Sequence, residues 1–474
     1  MFLSHPRAAG SGVASRAFTP PLLSSIAPDT VLLSTEPSDW TYIAEGGANV
    51  IFRYVGLPTT LTGWVMRVRK QGVRGAHPKD IVKFAERNTP PGSRDAYVQV
   101  ARAESVTVDF LVRLNELLMA DAATSRRPVH RHASSLDTAL TWVMLLPDVA
   151  FPDAALSIEI KPKHGLLPSA PGLHPVKQTA CRFCMHQLLK QAQGKVVRAS
   201  AYCPLDLFSN DKARIARALT SLSSTPQNNL RVFSSCTEAG DSLEHSAEHS
   251  MAADQLDLVV ELLHSHVDLL DDLKAMHAKD TLDIEGVFAL SQLHAAIVDV
   301  ISFSDSERQV EDGTMPVSQT LGQVLPMLST DLSRQLDMYM PHALLTNTDV
   351  NVERWTELTI GQFQTVYSDV LDSFLVATTF KDCSVLLSLR PIPSLMSITP
   401  PDARCSSERQ LQLSNGHHHH TATWNGQTYE VVVAIVDLDI KAHKPVAAYY
   451  AQDQGIVRHF ASIQSTWSSA NSLN

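Results

Sequence analysis

Apolar and polar residues alternate from Ser157 to Lys163, so an extended chain there would set Glu159, Lys161 and Lys163 on one face and Ile158 and Ile160 on the other. Between Cys181 and Lys190 the period changes to that of a helix. Cys181, Cys184, Met185 and Leu188 then fall on one stripe, and Arg182, His186 and Lys190 on another. Two elements therefore each present a row of cations. Upstream, β-prone runs flank the pair Gly46-Gly47, and Gly63–Lys70 alternates so that Arg67 and Arg69 share a face. Val108–Leu118 has helical spacing, and so do Leu256–Met276 and Ile284–Ile301, whereas Ala139–Phe151 and Val431–Val436 are apolar runs. At the end of the last run, Asp437, Asp439 and Lys441 alternate onto one face.

With 474 residues and 44% apolar content the chain can bury the core of two domains. It holds no apolar run near the length that spans a bilayer. Its net charge of −10 is unevenly spread. Cys236–Asp312 carries 18 acidic residues against Lys274, Lys279 and Arg308, which leaves the rest of the chain net positive. Cations held on ordered elements suit a polyanion, most simply one with several phosphates. Nucleic acid fits less well, because the cations are dispersed among acids with no aromatic platform beside them.

Six cysteines in this length do not form a disulfide framework and fit a reducing compartment. Zinc at Cys181-x-x-Cys184 would need a second ligand pair, and no pair at suitable spacing follows. Residues 1 to about 30 read as a tail outside the fold. The nine basic residues between Arg67 and Arg102 read as a mobile basic loop, and Gln410–Gly426, with His417–His420, as a polar loop. N–H groups at the Gly pair can cradle phosphate and the Asn228-Asn229 amides can hydrogen-bond it, though most Gly-Gly pairs between strands are only hairpin turns and Asn-Asn in a loop is usually just a turn.

Glu159-Ile160-Lys161-Pro162-Lys163, followed by Cys181-Arg182-Phe183-Cys184-Met185-His186-Gln187 and Lys190, resembles the signature of the inositol-pentakisphosphate 2-kinase family. Tyr202-Cys203-Pro204-Leu205-Asp206-Leu207-Phe208-Ser209 and Leu282-Asp283-Ile284-Glu285-Gly286 extend the likeness. The resemblance implies an α+β fold of two lobes, protein-kinase-like, with an antiparallel N-lobe sheet carrying a glycine loop and a larger α/β C-lobe. The expected division is a tail over 1–35, an N-lobe over 36–150 and a C-lobe over 151–474, the last containing the acidic helical segment at about 236–312.

It further implies transfer of the ATP γ-phosphate, assisted by Mg2+, to the 2-hydroxyl of inositol pentakisphosphate. Asp382 would be the catalytic carboxylate, and Lys161 would stabilise the transferring phosphate. ATP would lie on Gly46, Gly47, Ala48, Asn49, Arg67, Glu159 and Arg231, with Asp437 and Asp439 on the metal. Arg127, Lys163, His186, Gln187, Lys190, Asn229, Lys441 and Tyr449 would hold the substrate phosphates. A monomer in the nucleus or cytoplasm, without membrane or nucleic-acid partner, is the accompanying expectation. Plant members of the family have a Cys/His zinc site, but the segment holding His245, His249, His264, His266 and His277 lacks the paired cysteines. A different inositol phosphate acceptor and an inactive polyphosphate-binding scaffold are the competing readings. The scaffold would expect Asp382 or Asp437 to be lost, and both are present.

Overall fold

A computed structural model describes residues 32–471 apart from 58–60, 91–92, 94–95, 99–100, 122–126, 151–152, 235–250, 308–318, 325, 327, 346–351, 393–411, 417–418 and 442–443. The described strands make two antiparallel sheets. The first contains β1 (Trp40–Glu45), β2 (Asn49–Tyr54), β3 (Trp64–Arg69), β4 (Arg102–Ser105) and β5 (Trp142–Pro147) in the order β1-β2-β3-β5-β4. Alternation decides what β2 does. Val50, Phe52 and Tyr54 are buried on the side where the helix Val108–Asp121 brings Leu111, Leu114 and Leu118, and Asn49, Ile51 and Arg53 are left on the opposite face.

The second sheet contains β6 (Leu156–Ile160), β7 (Leu230–Ser234), β8 (Ser384–Pro391), β9 (Gln412–Gly416), β10 (His419–Trp424) and β11 (Gln427–Val436) in the order β7-β6-β8-β11-β10-β9. Every pairing in it is antiparallel, so this part is not the α/β layer expected from the sequence. Ile158, Ile160, Val385 and Leu387 pack on the helices Lys212–Ser224, Ala253–Ser265 and Val267–His277. The helices Asp283–Glu307, Thr330–Leu345 and Ile360–Phe380 bury a separate cluster around Phe363 and Met340.

Several expectations are overturned. The segment 71–102 is no loop, since the helix Pro78–Asn88 starts at a His77 cap with proline in its first turn. Its Phe84 packs on Phe380, and Tyr97 beyond it donates to the Asp268 carboxylate at 2.8 Å. A basic stretch thus becomes a tie between the two sheets, because its apolar residues have a core to enter. Leu32, placed in the tail, is buried with Trp40. Within the polar stretch Gln410–Gly426, Gln412–Gly416 and His419–Trp424 form the β9–β10 pair instead of a loop, while residues 410–411 and 417–418 lie outside the described residues. The run Leu256–Met276 makes two helices that meet at His266.

Candidate active site

A cleft of about 510 Å³ opens between the two sheets. That volume suits a small ligand. Gly46, Gly47, Ala48 and Asn49 form one rim, at the turn joining β1 to β2. The base of this turn is a buried ion cluster: Glu45 pairs with Lys70, and the Arg127 guanidinium approaches the same carboxylate at 2.8 and 3.1 Å. Burial alone would raise the Glu45 carboxyl, but hydrogen bonds from Arg127 and Lys70 outweigh it and hold the group below its ordinary range.

Arg127 is therefore not the substrate contact that the resemblance implies. Its side chain is fully buried, and its Nη2 also donates to the carbonyls of Arg131 and Ser134 at 2.9 Å. Its neighbour Arg131 lines the cleft instead. Arg127→Met should destabilise the protein by about 1–3 kcal/mol, since it leaves those buried acceptors unmet. Denaturant melts will read this; a raised KM with unchanged stability would contradict the structural role.

β3 decides between its two arginines. Arg69 turns to the carbonyl of Ala76, whereas Arg67 is buried in the cleft and reaches across to the Asp439 carboxylate, with Asp437 Oδ1 at 3.6 Å. When its oxygen faces the guanidinium, the Asn49 carboxamide accepts from Arg67 Nη2 at 2.7 Å and Nε at 3.1 Å.

The facing wall comes from three strand ends of the second sheet. Ser384 and Val436, paired across β8 and β11, place Asp382 just before one strand and Asp437 just after the other. At Ile160 β6 stops, so Lys161 and Lys163 do not share a strand face as the alternation predicts. Lys163 has φ 61° and Asp437 φ 65°, the left-handed region that costs most residues energy. Such backbone persists where the surroundings hold it, and here it turns both side chains into the cleft region. Lys161 Nζ lies 3.6 Å from Asp437 Oδ2. Lys163 Nζ and Lys441 Nζ lie 3.0 and 2.9 Å from the two oxygens of Asp382. Burial pushes the Asp382 carboxyl up, but the two lysines dominate and hold it well below the carboxylate range, so it is an anion at neutral pH. Asp437 is likewise lowered against its burial, chiefly by Arg67 and then Lys161.

Beside this wall, Glu159 pairs with Arg231 at 3.4 Å and accepts from the Ser384 hydroxyl at 2.8 Å. Both side chains line the cleft. The apolar part of the lining includes Ile51, Met144, Leu146, Leu386 and Ile435. Pro147 and Asp148, at the end of β5, also face it, and Asp148 pairs with Arg53.

The helix Arg182–Ala192 sets His186 and Lys190 near Lys163. Burial first, and then Lys190 and Arg182, push the His186 imidazole down to about 4. Lys190 is also lowered, by burial and then by Lys163 and Lys195. Like charges crowded in this way mark a place that an anion would relieve. Gln187 is corrected: it is buried, its amide exchanging hydrogen bonds with Gln227 at 3.2 and 2.9 Å and accepting from the Ser200 N–H. Asn229 is buried, and its carbonyl accepts from the Lys161 N–H at 2.9 Å, while Asn228 faces the cleft. Tyr449 donates its hydroxyl to the Lys441 carbonyl at 2.9 Å, which places it behind that lysine.

A family model described as inositol-pentakisphosphate 2-kinase matches residues 42–455, a span that takes in the glycine turn, the lysines and all three aspartates. The chain belongs to that family. Among its relatives, the inositol-pentakisphosphate 2-kinase of Arabidopsis thaliana is 24% identical over 91% of this chain and 95% of its own length. The inositol-pentakisphosphate 2-kinase of Danio rerio is 24% identical over 90% of this chain and 93% of itself. A stretch covering 42% of this chain and 51% of the Cryptococcus neoformans inositol-pentakisphosphate 2-kinase reaches 34% identity.

For a 2-kinase family member, sequence reasoning found most of one cleft and missed its supports. Glu45, Lys70, Arg53, Asp148 and Arg131 are not among the residues that the sequence assigns to the site. Glu45 stands directly before the glycine pair, and that adjacency was the one available signal.

Proposed function

We propose that this chain transfers the γ-phosphate of ATP to the 2-hydroxyl of inositol 1,3,4,5,6-pentakisphosphate, in a two-lobed, protein-kinase-like arrangement of its sheets. One observation carries the reading. Asp382 is held as an anion between Lys163 and Lys441, in the same cleft as the glycine turn, Arg67, Lys161, Asp437 and Asp439.

ATP would lay its adenine against the apolar lining, with its phosphates toward the glycine turn and Arg67. The donors for Mg2+ fit a hard cation: Asp437 and Asp439 offer carboxylate oxygens, and Asp439 Oδ1 is buried without a hydrogen-bond partner. When bound, the ion neutralises charge on the nucleotide phosphates. Lys161 would hold the transferring phosphoryl oxygens. The 2-hydroxyl oxygen forms its bond to the γ-phosphorus as the bond to the β–γ bridging oxygen breaks, ADP leaves, and the hydroxyl proton passes to Asp382. Substrate phosphates drawn against Lys163 and Lys441 would weaken their hold on Asp382 and make that carboxylate a better base when substrate is in place.

The test is to incubate the protein with Mg·ATP and the pentakisphosphate and to identify the product by position-resolved NMR. Formation of the hexakisphosphate supports the reading, and ATP consumption that phosphorylates only other inositol phosphates refutes it.

His186 supplies a second prediction. Its depressed pKa leaves it neutral at about pH 6, and a polyphosphate beside it would raise the value toward or past the ordinary 6.5. Binding should therefore take up a proton near that pH. Calorimetry in buffers of different ionisation enthalpy should show a buffer-dependent heat that His186→Gln lacks; identical heats across buffers would contradict it.

A further inference from the structure

Away from the cleft lining, the second sheet's helices bring three cysteines together. The sulfurs of Cys181, Cys184 and Cys203 all lie within 4.8 Å of one another. Cys181 caps the helix Arg182–Ala192 and Cys184 stands one turn on, so both sulfurs lie near that helix start. Cys203 caps the short helix Pro204–Leu207.

The sulfurs are already placed as a ligand set. The Cys184 thiol donates to the carbonyl of Tyr202, the residue before Cys203, at 3.7 Å. Metals bind cysteine as the thiolate. Three thiolates each about 2.3 Å from one Zn2+ would stand close to 4 Å apart, within the spacing seen here. All three are free thiols. Ordinary core packing explains one buried cysteine well but not three sulfurs converging on a point. Cys184 and Cys203 are only partly buried, which leaves a way in for the ion.

We propose that Cys181, Cys184 and Cys203 form a structural site for a thiophilic divalent cation, Zn2+, with an external water or thiol as fourth ligand. Spacing alone argued against metal here because no second pair follows the Cys-x-x-Cys. The fold supplies the third sulfur from a different helix start. The site ties together two parts of the cleft wall. Cys181 and Cys184 begin the helix that carries His186 and Lys190, and Cys203 adjoins Tyr202, whose hydroxyl donates at 2.8 Å to the carbonyl of Pro162, between Lys161 and Lys163. A bound ion would fix that helix to the lysine-bearing turn. This inference stands on the sulfur geometry and does not need the kinase reading.

The experiment uses the full chain with His417–His420 replaced by alanine, which removes that adventitious chelator. Reduced, metal-stripped protein is titrated with Co2+, and zinc content is measured on the protein as purified. The expected result is one equivalent of retained zinc and, at one equivalent of cobalt, a thiolate-to-cobalt charge-transfer band with tetrahedral d–d bands. Cys203→Ser and Cys184→Ser should each abolish retained zinc and weaken the charge-transfer band at least tenfold, with helix content unchanged by circular dichroism. Parent protein that retains no zinc and develops no charge-transfer band overturns the proposal without reference to the variants. A band that persists unchanged in both variants also overturns it.

Discussion

Asp382→Asn should lower kcat by about 10²–10⁴-fold, the usual worth of a positioned proton acceptor, while the KM for the inositol phosphate stays level or falls. Asparagine keeps the shape and the hydrogen-bonding reach but removes the negative charge. Lys163 and Lys441, which now face the two carboxylate oxygens at 3.0 and 2.9 Å, would be released toward the substrate phosphates. Ground-state binding then gains attraction as the chemical step loses its base. Steady-state kinetics with inositol pentakisphosphate separate the two effects. A kcat within a few fold of the parent would remove Asp382 from the proton-transfer role, and a sharply raised KM would make it a binding residue instead.

Lys177→Met should cost about 3–5 kcal/mol of folding stability, because it deletes the buried cation that three acids share. Lys177 Nζ lies 2.6 Å from Asp283, 2.8 Å from Glu285 and 2.8 Å from Asp453, and only 2% of its side chain is exposed. Asp453 keeps Arg182 at 2.7 Å, but Asp283 and Glu285 would be left with each other. The pH dependence follows from the signs. Burial, then Asp283, already raises the Glu285 carboxyl to about 7 against the opposing pull of Lys177. Removing that lysine raises it further. A carboxyl whose folded pKa exceeds its unfolded one stabilises the fold while protonated and loses that contribution as pH rises from the unfolded value toward the folded one. The deficit should therefore be smaller at about pH 5 than at about pH 7.5 in denaturant melts. A deficit under about 1 kcal/mol at neutral pH, or one that grows on acidification, would show that the network is not what holds these helices.

The network also matters for the cleft. Asp453 lies in the long C-terminal helix Val446–Asn471, and its bond to Arg182 fixes the first residue of the helix that presents His186 and Lys190. A loss of stability at Lys177 is thus expected to blur the His186–Lys190 end of the site before the glycine-turn end. The glycine turn rests on a separate cluster, Glu45 with Lys70 and Arg127.

What the sequence by itself determined was whatever short-range pattern and local chemistry encode. The period-2 run at β6, the glycine pair between β1 and β2, and the helical stripe after Cys181 each follow from side-chain spacing, and the blocks around Glu159–Lys163 and Cys181–Lys190 were enough to indicate the family. Which side chain of a pair points where was decided by tertiary structure. Arg67 rather than Arg69 enters the cleft, since only one of them meets the aspartates that follow β11. Arg127 and Gln187 carry polar groups suited to phosphate, but burial commits them to internal partners, a fate that composition does not reveal. The helix Pro78–Asn88 looked like a basic loop because its charges dominate the local count, while its few apolar residues find a distant core to enter. The three sulfurs lie on two helix starts that are separate in sequence. Contacts between residues far apart in the chain are set by how sheets and helices pack, and no local pattern carries that information.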